Sequence, residues 1–158
     1  MFGRARIRRT RRGMYRVDLP PPERDVLARL LPQLRQLVSG EGDDDGRSRR
    51  LFPTAYAQDA EADADYQRLM REELVASRLE AIDTVEESLQ ARELDESQLV
   101  AWMASVNSLR LVLGTMLDVS EDLDLSRLPP DSEDLESFAL YAYLSALLEE
   151  IVEALTPA

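Results

Sequence analysis

The first nineteen residues alternate between polar and apolar with a period of two. Tyr15, Val17 and Leu19 fall on one side, Ala5 and Ile7 occupy the matching positions upstream, and Thr10-Arg11-Arg12-Gly13 between them supplies a turn, so a β-hairpin is predicted. An isolated hairpin is marginal in water, so its apolar face (Ile7, Tyr15, Val17, Leu19) must lie on helices. At Leu19-Pro20-Pro21-Pro22-Glu23-Arg24 the period changes to three and four. Prolines preset φ where N–H groups would lack partners, an acid follows in the first turn, and a helix is expected over 20–38 with Val26, Leu27, Leu30, Leu31, Leu34, Leu37 and Val38 as its buried stripe. Pro32 inside it predicts a kink or a break into two short helices. A loop is expected over 39–62: Ser39 to Arg50 is rich in glycine and charge, and Leu51 to Tyr56 reads as a short apolar clasp.

Helical spacing returns over 63–91, with Leu74 and Val75, Leu79, Ile82, Val85 and Leu89 in one stripe, as two helices or one continuous helix. Asp95-Glu96-Ser97-Gln98 has the form of a capping box and opens a helix over 96–118. In this helix Trp102, Val106, Leu109, Leu113 and Met116 repeat at four and three. Leu99, Met103 and Leu117 widen the stripe, and Val100 and Leu111 lie round the back, so this is the expected central helix. An acidic connector ends at Pro129-Pro130, and Asp131 or Ser132 would cap a last helix over 132–155. Its core face is Leu140, Leu144, Leu147, Leu148, Ile151 and Leu155, with Glu149, Glu150 and Glu153 toward water. The expected fold class is mainly α: a single-domain helical bundle around a central apolar helix, with an N-terminal β-hairpin. A length of 158 residues fits one domain of the usual ~100–200.

Composition narrows the chemistry. The chain has no histidine, cysteine or lysine, so all 19 cations are arginines against 31 acids. That excludes disulfides, cysteine nucleophiles, His-assisted serine catalysis and the common zinc sites. It also excludes the P-loop and Schiff-base chemistry. The net charge of −12 is unevenly spread: residues 1–50 carry +6 and residues 51–158 carry −18. No apolar run follows the charged start in the manner of a secretory signal, and none is long enough to span a membrane. The chain is therefore expected to be cytoplasmic, with no membrane partner.

Three constellations stand out. Arg4, Arg6, Arg8, Arg9, Arg11, Arg12 and Arg16 face no acid within residues 1–16, and with Tyr15 beside them they form a candidate phosphate-tracking surface. Against this, the acidic body would repel a polyanion, and the arm could instead pair with its own acidic helices or those of a partner subunit. In the central helix, Asn107, Arg110 and Gly114 share a face with Met103 and Leu117. Buried polar groups need partners. Arg110 is either the anion anchor of a ligand or partner site, or the mate of a carboxylate on a neighbouring helix, with Asn107 capping a loop and Gly114 permitting close helix approach. The latter is favoured. The pairs Glu72-Glu73, Glu86-Glu87 and Glu149-Glu150 lack the histidines of a di-iron bundle and read as solvated faces, so neither metal nor cofactor is expected. Ser105, Ser108 and Thr115 have no base to activate them, so catalysis is not expected.

The run Trp102-Met103-Ala104-Ser105-Val106-Asn107-Ser108-Leu109-Arg110-Leu111-Val112-Leu113-Gly114-Thr115-Met116-Leu117-Asp118 resembles the signature of an uncharacterised actinobacterial family of unknown function that includes the AosR oxidative-stress transcription regulators. The resemblance extends to Phe138, Tyr141, Tyr143 and Leu144 of the closing helix, to Pro22-Glu23-Arg24 and to the basic N-terminal strand pair. It implies a small, mostly helical, cytoplasmic regulatory protein, in which Trp102, Asn107, Arg110, Gly114 and Thr115 are signature positions of structural character. Genes of this family often lie near that of the ClpS adaptor, which implies a second role, in protein turnover. The AosR branch is associated with an oxidant-sensing cysteine pair near the amino terminus. The present chain has no cysteine, so thiol sensing does not carry over.

Two function classes remain open: a DNA-associated transcriptional regulator, dimeric and using Arg4 to Arg16, or a protein-interaction module or adaptor using the acidic helical surface or the Arg110 face. A contiguous exposed strip of arginines would favour the first; arginines folded against acids would favour the second.

Overall fold

A computed structural model describes residues 5–40, 60–117 and 135–157. The described elements are, in chain order, β1 (Ile7–Arg9), β2 (Tyr15–Val17), α1 (Pro21–Val38), α2 (Ala60–Ser88), β3 (Glu93–Leu94), α3 (Glu96–Leu117) and α4 (Leu135–Leu155). The fold is mainly α with a small antiparallel sheet of order β1-β2-β3.

The expected hairpin forms. Ile7 pairs with Val17, Arg8 with Arg16 and Arg9 with Tyr15. The turn is closed by the Thr10 N–H donating to the Met14 carbonyl at 2.7 Å, and Gly13 takes φ +73°, where a side chain would be strained. The third strand is unanticipated: Glu93–Leu94, in the connection from α2 to α3, pairs with Arg16 and Tyr15 of β2. Ile7, Tyr15, Val17 and Leu94 are buried, so the sheet closes one end of the helical core.

Helix α1 starts on prolines at its first two positions, with no side-chain cap, and stops where Gly40, at φ +87°, turns its N–H back to the Leu37 carbonyl at 3.2 Å. The break expected at Pro32 does not occur; α1 is one unbroken helix. Pro32 and Ala28 both lie on the exposed side, where water can serve the Ala28 carbonyl left without an amide partner. Likewise, the stripe expected over 63–91 belongs to one helix that starts at Ala60 and ends at Ser88, the last residues forming a turn. Arg35 clamps α1 to α2 through Asp83 at 2.8 Å and through Glu86.

The capping box before α3 is reciprocal. The Gln98 N–H donates to Asp95 Oδ1 at 2.7 Å and the Asp95 N–H donates to Gln98 Oε1 at 2.9 Å. Helix α3 packs against α1, α2 and α4 and is the central element. Leu99, Trp102, Val106, Leu109 and Val112 are buried in it. They form one cluster with Leu27, Leu31, Leu34 and Val38 of α1, with Ile82 and Val85 of α2, and with Leu144, Leu147 and Ile151 of α4. Val112 and Phe138 are buried beyond the predicted stripes, whereas Leu140, Leu148 and Leu155 are only half-buried. The clasp at Leu51 to Tyr56, the acidic connector, the caps at Asp131 and Ser132, and Arg4 lie outside the described residues.

Candidate interaction surfaces

The hairpin does not present its arginines as a continuous free strip. Arg6 reaches two acids at once: its Nε donates to Glu23 at 2.7 Å and its Nη1 approaches Glu150 at 3.4 Å, while its backbone N–H donates to Glu150 at 2.6 Å. Its guanidinium also lies 5.7 Å from the centre of the Tyr143 ring. Burial, and next the Glu23 carboxylate, push the Tyr143 hydroxyl well above its ordinary pKa, so it stays neutral. Arg8 and Arg16 stand opposite each other across the hairpin, and both are held by one carboxylate: Arg8 to Asp18 at 2.8 Å and Arg16 to Asp18 at 3.2 Å. Arg9 lies over Tyr15 at 5.6 Å and donates to its hydroxyl at 3.3 Å and, at 3.5 Å, to the Leu155 carbonyl at the end of α4. Only Arg11 and Arg12, exposed at the turn, are without an acid or ring among the described residues of this arm.

A buried arginine escaped the sequence reading. Arg24 is 8% exposed. It donates to the carbonyls of Leu19 at 3.0 Å, Val17 at 3.1 Å and Ala91 at 3.2 Å, and to that of Leu89. It thereby ties the β2–α1 junction to the end of α2. The available signal was register: Arg24 precedes Leu27, Leu31, Leu34 and Val38 at spacings of three and four, which places it on the buried stripe.

The polar set of α3 is brought together, but with different partners from those favoured. No carboxylate pairs with Arg110 among the described residues. Its Nη2 donates to Asn107 Oδ1 at 3.2 Å and its Nη1 to the Tyr141 hydroxyl at 3.3 Å, with the guanidinium 6.0 Å from the Tyr141 ring centre. Asn107 thus braces Arg110 rather than capping a loop. Gly114 is buried, and Thr115 bonds back to the Leu111 carbonyl at 3.0 Å. Trp102 is fully buried. Beside Arg110, α3 and α4 frame an open groove of about 540 Å³ lined by Ser145, Leu148, Glu149, Val152 and Glu153. Arg110 Nε and Ser145 Oγ, both shielded from water, have no hydrogen-bond partner among the described residues.

The remaining candidates are dispersed. Glu86 is taken by Arg35 and Glu150 by Arg6, and among the described residues no group of three acids could hold a metal ion. Ser108 accepts a bond from Arg78 at 2.7 Å, and burial lowers the Arg78 pKa. Among the described residues no helix is long and apolar enough to cross a membrane.

Comparison with known proteins places these features in context. A family described as "Domain of unknown function (DUF2017)" matches residues 4–155. The chain is 33% identical over 135 residues to the oxidative stress regulator AosR of Mycobacterium tuberculosis (strain ATCC 25618 / H37Rv), covering 83% of this chain and 58% of that protein. It is also 33% identical over 128 residues to the putative oxidative stress regulator AosR of Mycobacterium leprae (strain TN), covering 78% and 58% respectively. The chain thus spans less than two thirds of the length of these relatives. No solved structure matches.

Proposed function

Because the chain belongs to the DUF2017 family, whose mycobacterial relatives are named as oxidative stress regulators, we propose that it is a non-enzymatic regulatory protein that works through protein contacts at the α3–α4 groove. The observation that carries this reading is a contrast between cations. Arg6, Arg8 and Arg16 of the hairpin are matched by the chain's own acids, whereas Arg110, in an open groove, has only neutral partners among the described residues. A guanidinium so placed is ready for a carboxylate that another molecule supplies. Leu148 and Val152 offer apolar area beside it, and Glu149 and Glu153 offer two negative charges at the rim that no cation among the described residues matches. This is the composition of an interaction patch, with an apolar centre and a charged edge. Thiol sensing is absent from the reading, since these 158 residues contain no cysteine.

The test is affinity capture from the native host followed by mass spectrometry, with the unchanged protein, Arg110→Glu, and Arg11→Ser with Arg12→Ser as baits. A partner lost with the groove variant and kept with the turn variant supports the reading; the reverse pattern sinks it. A second reading, as a DNA-associated regulator, rests on the exposure of Arg11 and Arg12 at the hairpin tip. Sequence-independent phosphate contact through that tip is the form it would take.

A further inference from the structure

We propose that the α3–α4 groove is self-complementary and that its occupant is a second copy of this chain, docked about a two-fold axis with Arg110 of each protomer against Glu149 and Glu153 of the other. This rests on the groove being a contact face and adds the identity of what fills it.

The argument begins with two rows of residues. On α3, Val100, Met103, Asn107, Arg110 and Gly114 recur at three and four; on α4, Tyr141, Ser145, Leu148 and Val152 do the same. The contact between Arg110 and Tyr141 sets these two rows side by side. Val100 and Val152, both on these rows, are among the most exposed large apolar residues described, at 43% and 44%. The face therefore carries apolar side chains that the fold does not cover.

Charge then distinguishes among occupants. The α3 row contributes one cation, Arg110, whose described contacts are both neutral. The α4 side contributes Glu149 and Glu153, and neither has an ion pair among the described residues, in contrast to their neighbour Glu150, which Arg6 holds. A two-fold interface places the same patch on both sides, so every contact occurs twice and the patch must complement itself. A face with the cation on one helix and the anions on the other meets that requirement: antiparallel docking sets each Arg110 against the partner's Glu149 and Glu153, and the valines close over the ends.

The experiment is sedimentation velocity and light scattering on the full chain over a range of concentrations. The unchanged protein should be dimeric, and Arg110→Glu and the double variant Glu149→Arg with Glu153→Arg should each weaken the dimer by at least about tenfold. Mixing the two variants should restore a dimer, because each interface then sets Glu against Arg at both ends. Circular dichroism on each variant separates lost association from lost folding, and the mixture reads only association. A monomeric unchanged protein, or a dimer indifferent to both reversals, or a mixture that stays monomeric, overturns the proposal. If the unchanged protein is monomeric yet loses a host partner on Arg110→Glu, the contact-face reading stands and the second-copy assignment falls.

Discussion

The indole N–H of Trp102 donates to Ser88 Oγ at 2.9 Å, and both side chains are buried. Ser88 closes α2 and Trp102 lies in the second turn of α3, so one bond spans the connection that carries β3. Ser88 uses its own proton toward the Thr84 carbonyl at 2.7 Å, leaving its oxygen free to accept from the indole. Replacing Ser88 with Ala strands the indole N–H where water does not reach. The expected cost is about 1–3 kcal/mol, read as a lower urea midpoint at unchanged slope. A loss below about 0.5 kcal/mol, within the range of an ordinary surface change, would show that the bond contributes little.

Arg24 invites a stricter test, because its guanidinium serves four carbonyls from two separate stretches of chain. Arg24→Leu keeps the stripe apolar but leaves several buried acceptors without donors, each costing about 1–3 kcal/mol, so most of the stability of a domain this size is at risk. Arg24→Lys retains the charge but has one compact ammonium in place of a planar fork and should recover only part of the loss. Chemical denaturation of the three proteins orders them; lysine matching arginine would mean that charge, not geometry, is what this position requires.

How far the sequence reveals this structure can be judged from such residues. The α3 helix was readable because its signals are local: Asp95 and Gln98 sit three apart, and the apolar stripe has one period. The hairpin was readable for the same reason, from alternation and a glycine at the turn. The strand Glu93–Leu94 was not, because two residues in a turn become a strand only when Tyr15 and Arg16, nearly eighty positions earlier, arrive beside them. Pro32 misled because a missing N–H and a ring crowding the preceding turn cost less on an exposed face, where water can serve the orphaned carbonyl, and Ala28 and Pro32 both lie on that face. For Arg110, spacing gave the face it shares with Asn107, but the choice between a carboxylate and Tyr141 depends on how α4 is rotated against α3, which periodicity leaves undetermined.

Acid should loosen the hairpin through Asp18. Arg8 and Arg16 are paired across the strands, a like-charge arrangement that is unfavourable unless neutralised. The bond from Arg8, and next that from Arg16, hold the Asp18 carboxyl below its ordinary value of 3.8 despite opposing desolvation. A carboxyl whose folded pKa is depressed contributes stability that is fully present above its unfolded value and is lost as pH falls through the folded one. Asp18 is exposed, so the contribution at neutral pH is at most about 1 kcal/mol. Asp18→Asn should therefore be slightly less stable than the unchanged protein at about pH 6 and equal to it at about pH 2. A gap that persists at the lower pH would trace the effect to something other than this carboxylate's charge.

The last prediction concerns the arm and duplex DNA. Each phosphate neutralised by a cation contributes about −0.9 to the slope of log affinity against log salt. Were the six described arginines of the arm all free to track phosphates, the slope would approach about −5. With Arg6, Arg8 and Arg16 committed to Glu23, Glu150 and Asp18, and Arg9 laid on Tyr15, the tip residues Arg11 and Arg12 supply about −2. A shift assay across about 50–200 mM salt should accordingly show weak binding with the shallow slope, abolished by Arg11→Ser with Arg12→Ser. A slope near −5 would mean that DNA competes successfully with Asp18 and Glu23 for the hairpin's arginines. The relevant partner of the arm would then be a polyanion, and the intrachain ion pairs would act as a latch that binding opens.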